Sequence, residues 1–133
     1  MTSEIIHHPS TLPFPFSRAV EAGGFIFLSG QLSMTPDGAP IQGDVATQTR
    51  NVMNSIAATL DSVGSGLEDV VKVTVWLSDM RHFAHFNEVY KTYFPNGYPV
   101  RSAVTSVLAF GLDVEVEVQA LSRRQPTDEV AQK

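Results

Sequence analysis

Apolar residues recur every three or four positions in two segments of the chain, which is the spacing that places side chains on one face of a helix. One segment runs from Asp44 to Val63, and Gly64 follows where a left-handed C-cap is favoured. The other runs from about Met80 to Phe94 and ends at a Pro-Asn-Gly turn signal. Its apolar face is aromatic, with Phe83, Phe86, Tyr90 and Phe94. The pattern therefore predicts two amphipathic helices.

Strict alternation of apolar and polar residues, which is typical of strands with two unlike faces, occurs at 71–77 and 114–120. An apolar run at 24–29 lies beside glycines and predicts a short buried strand, with which 17–21 is expected to pair as a hairpin. Residues 102–108 are predicted to form a further strand. The element order β-β-(β)-α-β-α-β-β leaves two helices to cover one sheet face. Because no predicted element covers the opposite face, we expect it to pack against other subunits.

Composition narrows the class of protein. The chain has 133 residues, with 9 Lys+Arg against 14 Asp+Glu for a formal net charge of −5. This length suits one domain over 1–133, in which about 125–133 is predicted to be a polar C-terminal tail. The acidic balance argues against non-specific nucleic-acid binding and leaves only a local basic patch as an alternative. No apolar run approaches the roughly 18 residues of a membrane span, and residues 1–10 lack the basic-then-apolar order of a signal peptide. We therefore expect a cytoplasmic protein that binds neither nucleic acid nor membrane. Charged residues make up 17%, against about 25% in a typical domain, which favours a surface covered by a partner.

Metal chemistry has little support in the sequence. The chain contains no cysteine, which excludes disulfides, thiolate metal sites and cysteine nucleophiles. His82 and His85 lie three residues apart on the second predicted helix, and His7 and His8 are adjacent near the N-terminus. This spacing allows a metal pair, but no nearby carboxylate completes a ligand set. We expect solvated or partly buried imidazoles and no metal.

Three kinds of side chain are candidates for binding or catalysis. Arg101 opens an apolar strand, where its guanidinium suits either carboxylate binding or an ordinary surface position. Glu115 and Glu117 share a strand face that is either solvated or covered by a neighbour; if it is covered, burial would raise a glutamate pKa and favour a role in proton transfer. Ser29 ends an apolar strand beside Gly30, as a structural turn hydroxyl or as a polar group that orients a ligand.

Two segments near the C-terminus together form a longer sequence motif: Pro99-x-Arg101-Ser102-Ala103-Val104 and Gly111-x-x-Val114-Glu115-Val116-Glu117-Val118-Gln119-Ala120. They resemble the signature of the Rid family, the RidA/YjgF-like reactive-intermediate deaminases. Earlier segments match that family in the same order: Ser17-x-Ala19-Val20, Phe27-Leu28-Ser29-Gly30-Gln31, Gln48-Thr49 and Phe86-Asn87-x-x-Tyr90. The similarity extends from about Pro13 to Arg123.

The resemblance implies a chorismate-mutase-like α+β fold, with a mixed sheet and two helices on one face, assembled as a homotrimer with three sites at the subunit interfaces. It also implies hydrolytic deamination of reactive enamine and imine acids, such as 2-aminoacrylate and its tautomer 2-iminopropanoate, to 2-keto acids and ammonia. The expected partners are a small imino or keto acid and two further copies of the chain. No metal or organic cofactor is implied.

The resemblance also assigns roles to single residues. Arg101 would hold the substrate carboxylate, and Glu117 would activate the attacking water or carry protons to the leaving nitrogen. Ser29 would lie beside the substrate, and the backbone around Ala103 would contact the bound acid. Asn87 is expected among the substrate-binding residues.

Two positions depart from the family pattern. Family members with the deaminase activity often carry tyrosine in the Pro-x-Ser segment, where this chain has Phe16. The pocket that Phe16 is expected to line thus loses a hydroxyl, which bears on the preferred substrate more than on the reaction type. A cysteine that is common after the Arg-Ser pair is Ala103 here, which argues against a role for a thiol.

Other functions are also compatible with the sequence. The missing hydroxyl at Phe16 is compatible with a non-catalytic trimer that binds small carboxylates or acts as a chaperone-like partner. A pathway-specific deaminase, such as one acting on 2-aminomuconate, is also compatible with the motifs. The ribonuclease activity of some relatives fits poorly with a net charge of −5 and with the lack of a recognisable histidine acid/base pair.

Overall fold

The computed structural model describes residues 4–124, which form a sheet of seven strands and two α-helices. The strands are β1 (Ile6–Pro9), β2 (Ser17–Ala22), β3 (Phe25–Leu28), β4 (Gln31–Leu32), β5 (Val70–Leu77), β6 (Val100–Thr105) and β7 (Val114–Leu121). The helices are α1 (Val45–Ser62) and α2 (Phe83–Tyr90). The strand order is β1-β2-β3-β7-β5-β6, and β4 pairs with β7 beyond the end of β3. Strands β5 and β6 are parallel while the other pairs are antiparallel, so the predicted α+β class with a mixed sheet is confirmed.

The core lies between the two helices and one face of the sheet. The alternation at 71–77 and 114–120 supplies the sheet side of this core, because Val73, Val75 and Leu77 of β5 and every second residue of β7 from 114 to 120 are buried there. Val71 is the exception at 39% exposure, because the register with β7 shifts between Val70 and Lys72. The residues that α1 and α2 bury against them are Val52, Met53, Ile56, Leu60, Phe86 and Tyr90. The helix-covered face predicted from periodicity is therefore the face observed.

The two helices begin and end for different reasons. At the start of α1 the Asp44 side chain accepts a hydrogen bond from the Thr47 backbone N–H. After its end Gly64 adopts a φ of +78°, as the C-cap signal predicted. The second predicted helix is shorter than expected, because 3-10 turns occupy Met80–His82 and Lys91–Tyr93 on either side of α2. Pro95 disfavours helical geometry at the residue before it, and Phe94 accordingly leaves the helix with a ψ of 67°.

Two strands differ from the predicted pattern. Strand β6 runs two residues earlier than expected and stops at Thr105, because that residue pairs with Leu77, where the neighbouring β5 also ends. Strand β1 was not predicted from the sequence. It is four residues long, carries two histidines, and forms by pairing with β2 rather than by a strong pattern of its own. The polar tail predicted at 125–133 lies outside the described residues.

The second sheet face is free of helices within residues 4–124. It presents the partly exposed aromatic rings of Phe25 and Phe27, and the edge strand β6 exposes Val100 to 69% and Val104 to 44%. Apolar side chains on an open face beside an unpaired strand edge are typical of a surface that another chain covers. This is the face on which the sequence predicts subunit contacts.

Candidate functional site

A cavity of about 810 Å³ opens between α1, the loop at 10–16 and the segment that follows β3. This volume lies within the range of small-molecule sites in proteins. Much of its wall is apolar, formed by side chains that include Leu12, Phe14, Phe16, Leu32, Met34, Ile41 and Phe110. Among the described residues that line it, two carry a formal charge, Arg18 and Glu115.

Glu115 reaches this cavity from β7. Its neighbours Val114 and Val116 are buried in the core, so its own side chain projects from the opposite side of the strand. The carboxylate lies against Gly30, where an added Cβ would overlap Glu115 Oε2. Burial, reinforced by the neighbouring Glu117 carboxylate, raises the pKa of Glu115 above its usual value. A half-buried carboxyl group with a raised pKa in a ligand-sized cavity is suited to proton transfer.

Glu117 lies two residues further along the same strand face and does not line this cavity. On one side of β7, Glu117 pairs with Thr74 of β5. On the other side, β3 pairs with β7 only as far as Gln119 and β4 pairs with it only from Val116, so no strand pairs with Glu117 there. Glu117 therefore lies in the gap between β3 and β4. Of the two glutamates that the sequence singles out, the structure brings Glu115 to the cavity.

Ser29 and Phe16 occupy neighbouring positions at the ends of β3 and β2. Ser29 Oγ donates a hydrogen bond of 2.6 Å to the Ser17 carbonyl oxygen, which ties these two strands together. Ser29 itself is not part of the cavity wall, whereas the adjacent Gly30 is. Phe16 lines the cavity with its ring packed beside that of Phe14 at a centroid distance of 6.2 Å. The hydroxyl thus has a structural partner, and the aromatic ring contributes an apolar wall.

Arg101 is held at the opposite side of the sheet. It pairs with Val73 of β5, whose side chain belongs to the helix-covered core, so Arg101 points toward α2. Its Nη1 donates a hydrogen bond of 2.8 Å to Asn87 Oδ1. Its Cζ lies 5.4, 5.9 and 5.0 Å from the ring centroids of Phe83, Phe86 and Tyr90, within cation–π distance. Asn87, expected as a substrate-binding residue, therefore contacts the guanidinium in this chain.

The aromatic surroundings of Arg101 include one unusual group. Tyr90 is only 4% exposed, and its hydroxyl has no hydrogen-bond partner among residues 4–124. Burial raises the pKa of Tyr90 to about 12, although the nearby Arg101 charge acts in the opposite sense. Ala103 lies two residues beyond Arg101 on the same side of β6 and packs against the core. The guanidinium thus rests in an apolar frame, and no carboxylate within residues 4–124 forms an ion pair with it.

A single chain does not bring Arg101 together with either glutamate. Strand β5 separates β6 from β7, so the backbones of Arg101 and Glu117 are about 10 Å apart across the sheet. Glu115 pairs with Trp76, which lies three residues along β5 from the Val73 that pairs with Arg101. The backbones of Arg101 and Glu115 are therefore about 14 Å apart. The side chains also leave opposite sheet faces. A site that uses both charges requires a second copy of the chain.

The remaining predictions concern metal and membrane. In the described part of the chain no group of three or more His, Asp or Glu side chains is arranged to hold a metal ion. His82 instead lies 3.8 Å from the Asp113 carboxylate. Neither helix described here has the length and hydropathy that a membrane crossing needs. The absence of a cofactor stays a prediction.

The sequence pattern does not single out two charged residues of the cavity, Glu115 and Arg18. The strand alternation places Glu115 on one face with Glu117 and does not distinguish the two. The distinguishing signal is Gly30, whose lack of a side chain makes room for the Glu115 carboxylate. Arg18 carried no signal in the sequence, because the loop and helix that surround it are brought together only by the fold.

Comparisons with known proteins agree with this architecture. Residues 7–123 match the family model described as Endoribonuclease L-PSP, which corresponds to the YjgF/Rid family. The RutC family protein PH0854 of Pyrococcus horikoshii is 43% identical over 112 residues, which cover 84% of this chain and 88% of that protein. The mitochondrial protein MMF1 of Saccharomyces cerevisiae is 38% identical over 81% of this chain and 75% of its own. A mitochondrial relative leaves the cytoplasmic location of this chain a prediction.

TdcF of Escherichia coli bears the provisional name of a reactive intermediate deaminase. It is 34% identical over 83% of this chain and 87% of its own. The solved structure of TdcF with bound serine has a TM-score of 0.78 and 32% identity, and the match covers 90% of this chain and 94% of that one. The family-model match over residues 7–123 includes both strands that carry Arg101 and Glu115. The chain belongs to the YjgF/Rid family.

Proposed function

We propose that this protein hydrolyses enamine and imine acids to 2-keto acids and ammonia, at sites formed between the protomers of a homotrimer. The observation that carries this proposal is Glu115, a half-buried carboxyl group with a raised pKa in a ligand-sized cavity. The name of TdcF and the serine bound in its structure support a substrate that carries a carboxylate and a nitrogen on adjacent positions.

The separation of Arg101 from Glu115 supports an assembled site. Within one chain the two lie on opposite sheet faces with β5 between them. Strand β6 is a sheet edge with exposed valines, and the open face carries exposed aromatic rings, so a neighbouring copy has a surface to cover. In a cyclic trimer each interface would combine the Arg101 of one protomer with the cavity of the next, which yields three identical sites.

The reaction requires few groups. Water adds to the C=N carbon to give a carbinolamine, the C–N bond then breaks, and the products are a 2-keto acid and ammonia. The ionised Glu115 would take a proton from the attacking water and give it to the imine nitrogen. It would then move the carbinolamine hydroxyl proton to the departing amino group, so ammonia leaves and the carboxylate is regenerated. Arg101 would hold the substrate carboxylate through charge-assisted hydrogen bonds, while Asn87 and three aromatic rings hold the guanidinium.

This assignment moves the proton-transfer role from Glu117 to Glu115. The resemblance to the family suggested Glu117, but Glu115 is the glutamate that lines the cavity and packs against Gly30. Phe16 would form an apolar wall beside the substrate, and Ser29 would support the adjacent Gly30 through its bond to Ser17. The backbone at Ala103 remains a proposed contact that a neighbouring protomer would offer.

The paired variants Glu115→Gln and Glu117→Gln test this proposal. Both remove one negative charge from the same strand face, and neither changes side-chain size appreciably. With 2-iminopropanoate generated by an amino-acid oxidase, we expect Glu115→Gln to lose at least about 100-fold in kcat, as is typical for loss of a general base, while Glu117→Gln stays within about threefold. The reverse result would restore Glu117 as the reactive group. No acceleration of imine decay by the unaltered protein would reject deamination.

Phe16 favours a second candidate, a trimer that binds small carboxylates without turnover. The cavity wall has a phenyl ring where relatives with deaminase activity often have a phenol, so one polar group is missing. Calorimetry with a 2-keto acid separates the two functions. Binding without any effect on the decay of several imines would favour the binding protein.

A further inference from the structure

The cavity contains a cation that the proposed reaction does not use. Arg18 extends from β2, and its Nε donates a hydrogen bond of 3.1 Å to Thr59 Oγ1 on α1. Thr59 is only 2% exposed, so the accepting oxygen is fixed inside the protein. Arg18 itself is half-buried and forms part of the cavity wall. The guanidinium is thus anchored at one nitrogen while its two terminal nitrogens remain available as donors.

No protein carboxylate within residues 4–124 neutralises this guanidinium. Arg18 forms no ion pair with any Asp or Glu side chain of that part of the chain. The other charged residue of the cavity wall is Glu115, which is not within ion-pair distance of Arg18. A half-buried cation without a counter-charge favours an anionic ligand group.

The size of the cavity leads to the same conclusion. A three-carbon imino acid would fill only a small part of 810 Å³. If its carboxylate is bound by Arg101 of a neighbouring protomer and its C=N carbon lies near Glu115, the region around Arg18 is left for the substrate side chain. Asn54 of α1 also lines the cavity; its Oδ1 accepts a hydrogen bond from the Tyr93 hydroxyl, which leaves its Nδ2 group to donate to an acidic side chain.

We propose that Arg18 binds a second carboxylate of the substrate, so that the preferred substrates are imino acids with an acidic side chain. This inference rests on the proposed deaminase function for its catalytic consequence, but the binding of a dicarboxylate is a property of the cavity alone. A guanidinium pairs with a planar carboxylate through two parallel N–H···O bonds, which a neutral side chain of equal length does not offer.

The kinetic experiment compares two imino acids of similar length. 2-Iminoglutarate is generated from glutamate and its neutral counterpart from methionine, each by an amino-acid oxidase, and imine decay is followed in the unaltered protein and in Arg18→Gln. We expect Arg18→Gln to lose about 10- to 100-fold in kcat/KM for 2-iminoglutarate and to stay within about threefold for the methionine-derived imine. Arg50→Gln, an equal charge change on an exposed part of α1 outside the cavity, is the matched control.

A binding experiment separates this inference from the deaminase proposal. Calorimetry measures 2-oxoglutarate against 2-oxohexanoate on the same three proteins. A preference for 2-oxoglutarate that disappears in Arg18→Gln supports the inference even if no imine is hydrolysed, in which case the deaminase proposal alone fails. Equal affinity for the two keto acids, or a preference that persists in Arg18→Gln, overturns the inference whether or not the protein is a deaminase.

Discussion

Replacement of Asn87 with alanine tests how the substrate-binding guanidinium is positioned. Asn87 Oδ1 accepts a hydrogen bond of 2.8 Å from Arg101 Nη1, and this is the polar contact that fixes the direction of the guanidinium within the described chain. The three aromatic rings around Arg101 hold its position over α2 but do not orient its N–H groups. The variant therefore leaves the charge in place and removes its orientation.

The magnitude follows from these contacts. A hydrogen bond to a charged group contributes about 1.5–3 kcal/mol, and the ring contacts that remain contribute about 0.5–1 kcal/mol each at partly exposed positions. Because the rings survive in Asn87→Ala, we expect a loss near the lower limit, about 1.5 kcal/mol, which corresponds to about tenfold in kcat/KM. The carboxylate is bound before and during the reaction, so the loss should appear mainly as a higher KM with a similar kcat.

The assay is steady-state decay of 2-iminopropanoate, with Asn96→Ala as the control because Asn96 is exposed in the turn before β6. Circular dichroism and the melting temperature show whether Asn87→Ala keeps its fold. An unchanged KM in a folded Asn87→Ala protein, together with an inactive Arg101→Ala protein, would refute the positioning role. A fall in kcat alone would place Asn87 at the reacting atoms instead.

Further predictions concern stability and pH. Tyr90→Phe removes a buried hydroxyl that has no hydrogen-bond partner in residues 4–124, so chemical denaturation should give a free energy of unfolding that is unchanged or up to about 1 kcal/mol higher. A decrease of more than about 1 kcal/mol would show that the hydroxyl has a partner in the assembly. The acid limb of the kcat/KM profile should have its midpoint above 4.5, because the ionised form of Glu115 is the base and its pKa is raised; a midpoint at or below 4.5 would argue against Glu115. Burial opposes ionisation of Glu21, but hydrogen bonds from His8, Arg124 and Ser122 outweigh the effect of burial and lower the pKa of Glu21 below 4.5. The free energy of unfolding should therefore fall as the pH drops below 4.5, and Glu21→Gln should reduce this pH dependence in urea titrations. An unchanged pH dependence in Glu21→Gln would exclude Glu21 as its source. Gly30→Ala should reduce kcat while it leaves the melting temperature nearly unchanged, because the added Cβ overlaps the Glu115 carboxylate. An unchanged kcat would mean that this carboxylate moves freely.

Periodicity predicted the parts of the fold that have a helix-covered core on one side. The alternation at 71–77 identifies β5 because Val73, Val75 and Leu77 are buried while their neighbours are not. Strand β1 lacks such a pattern and forms only through its pairing with β2, so its sequence alone did not mark it. The shorter α2 reflects local effects at its ends, including the proline that follows Phe94, which a count of aromatic spacings does not include.

Site residues were predictable in identity but not in arrangement. The chemistry of Arg101 marks it as a candidate, yet its contact with Asn87 depends on the packing of α2 beside β6, which no local pattern encodes. Glu115 and Glu117 are equivalent in the strand pattern, and only the path of the chain at Gly30 distinguishes them. Arg18 becomes significant because the fold closes a cavity around it.

The central claim is that each reactive site combines Arg101 of one protomer with Glu115 of another. Co-expression of Arg101→Ala and Glu115→Gln chains, each inactive alone, tests it, with mixed oligomers verified by native mass spectrometry. Random assembly in equal amounts should restore about a quarter of the unaltered activity, because half of the interfaces receive an intact arginine and half of those an intact glutamate. Mixed oligomers without activity at any ratio would contradict the claim, because they would show that both residues act from the same chain.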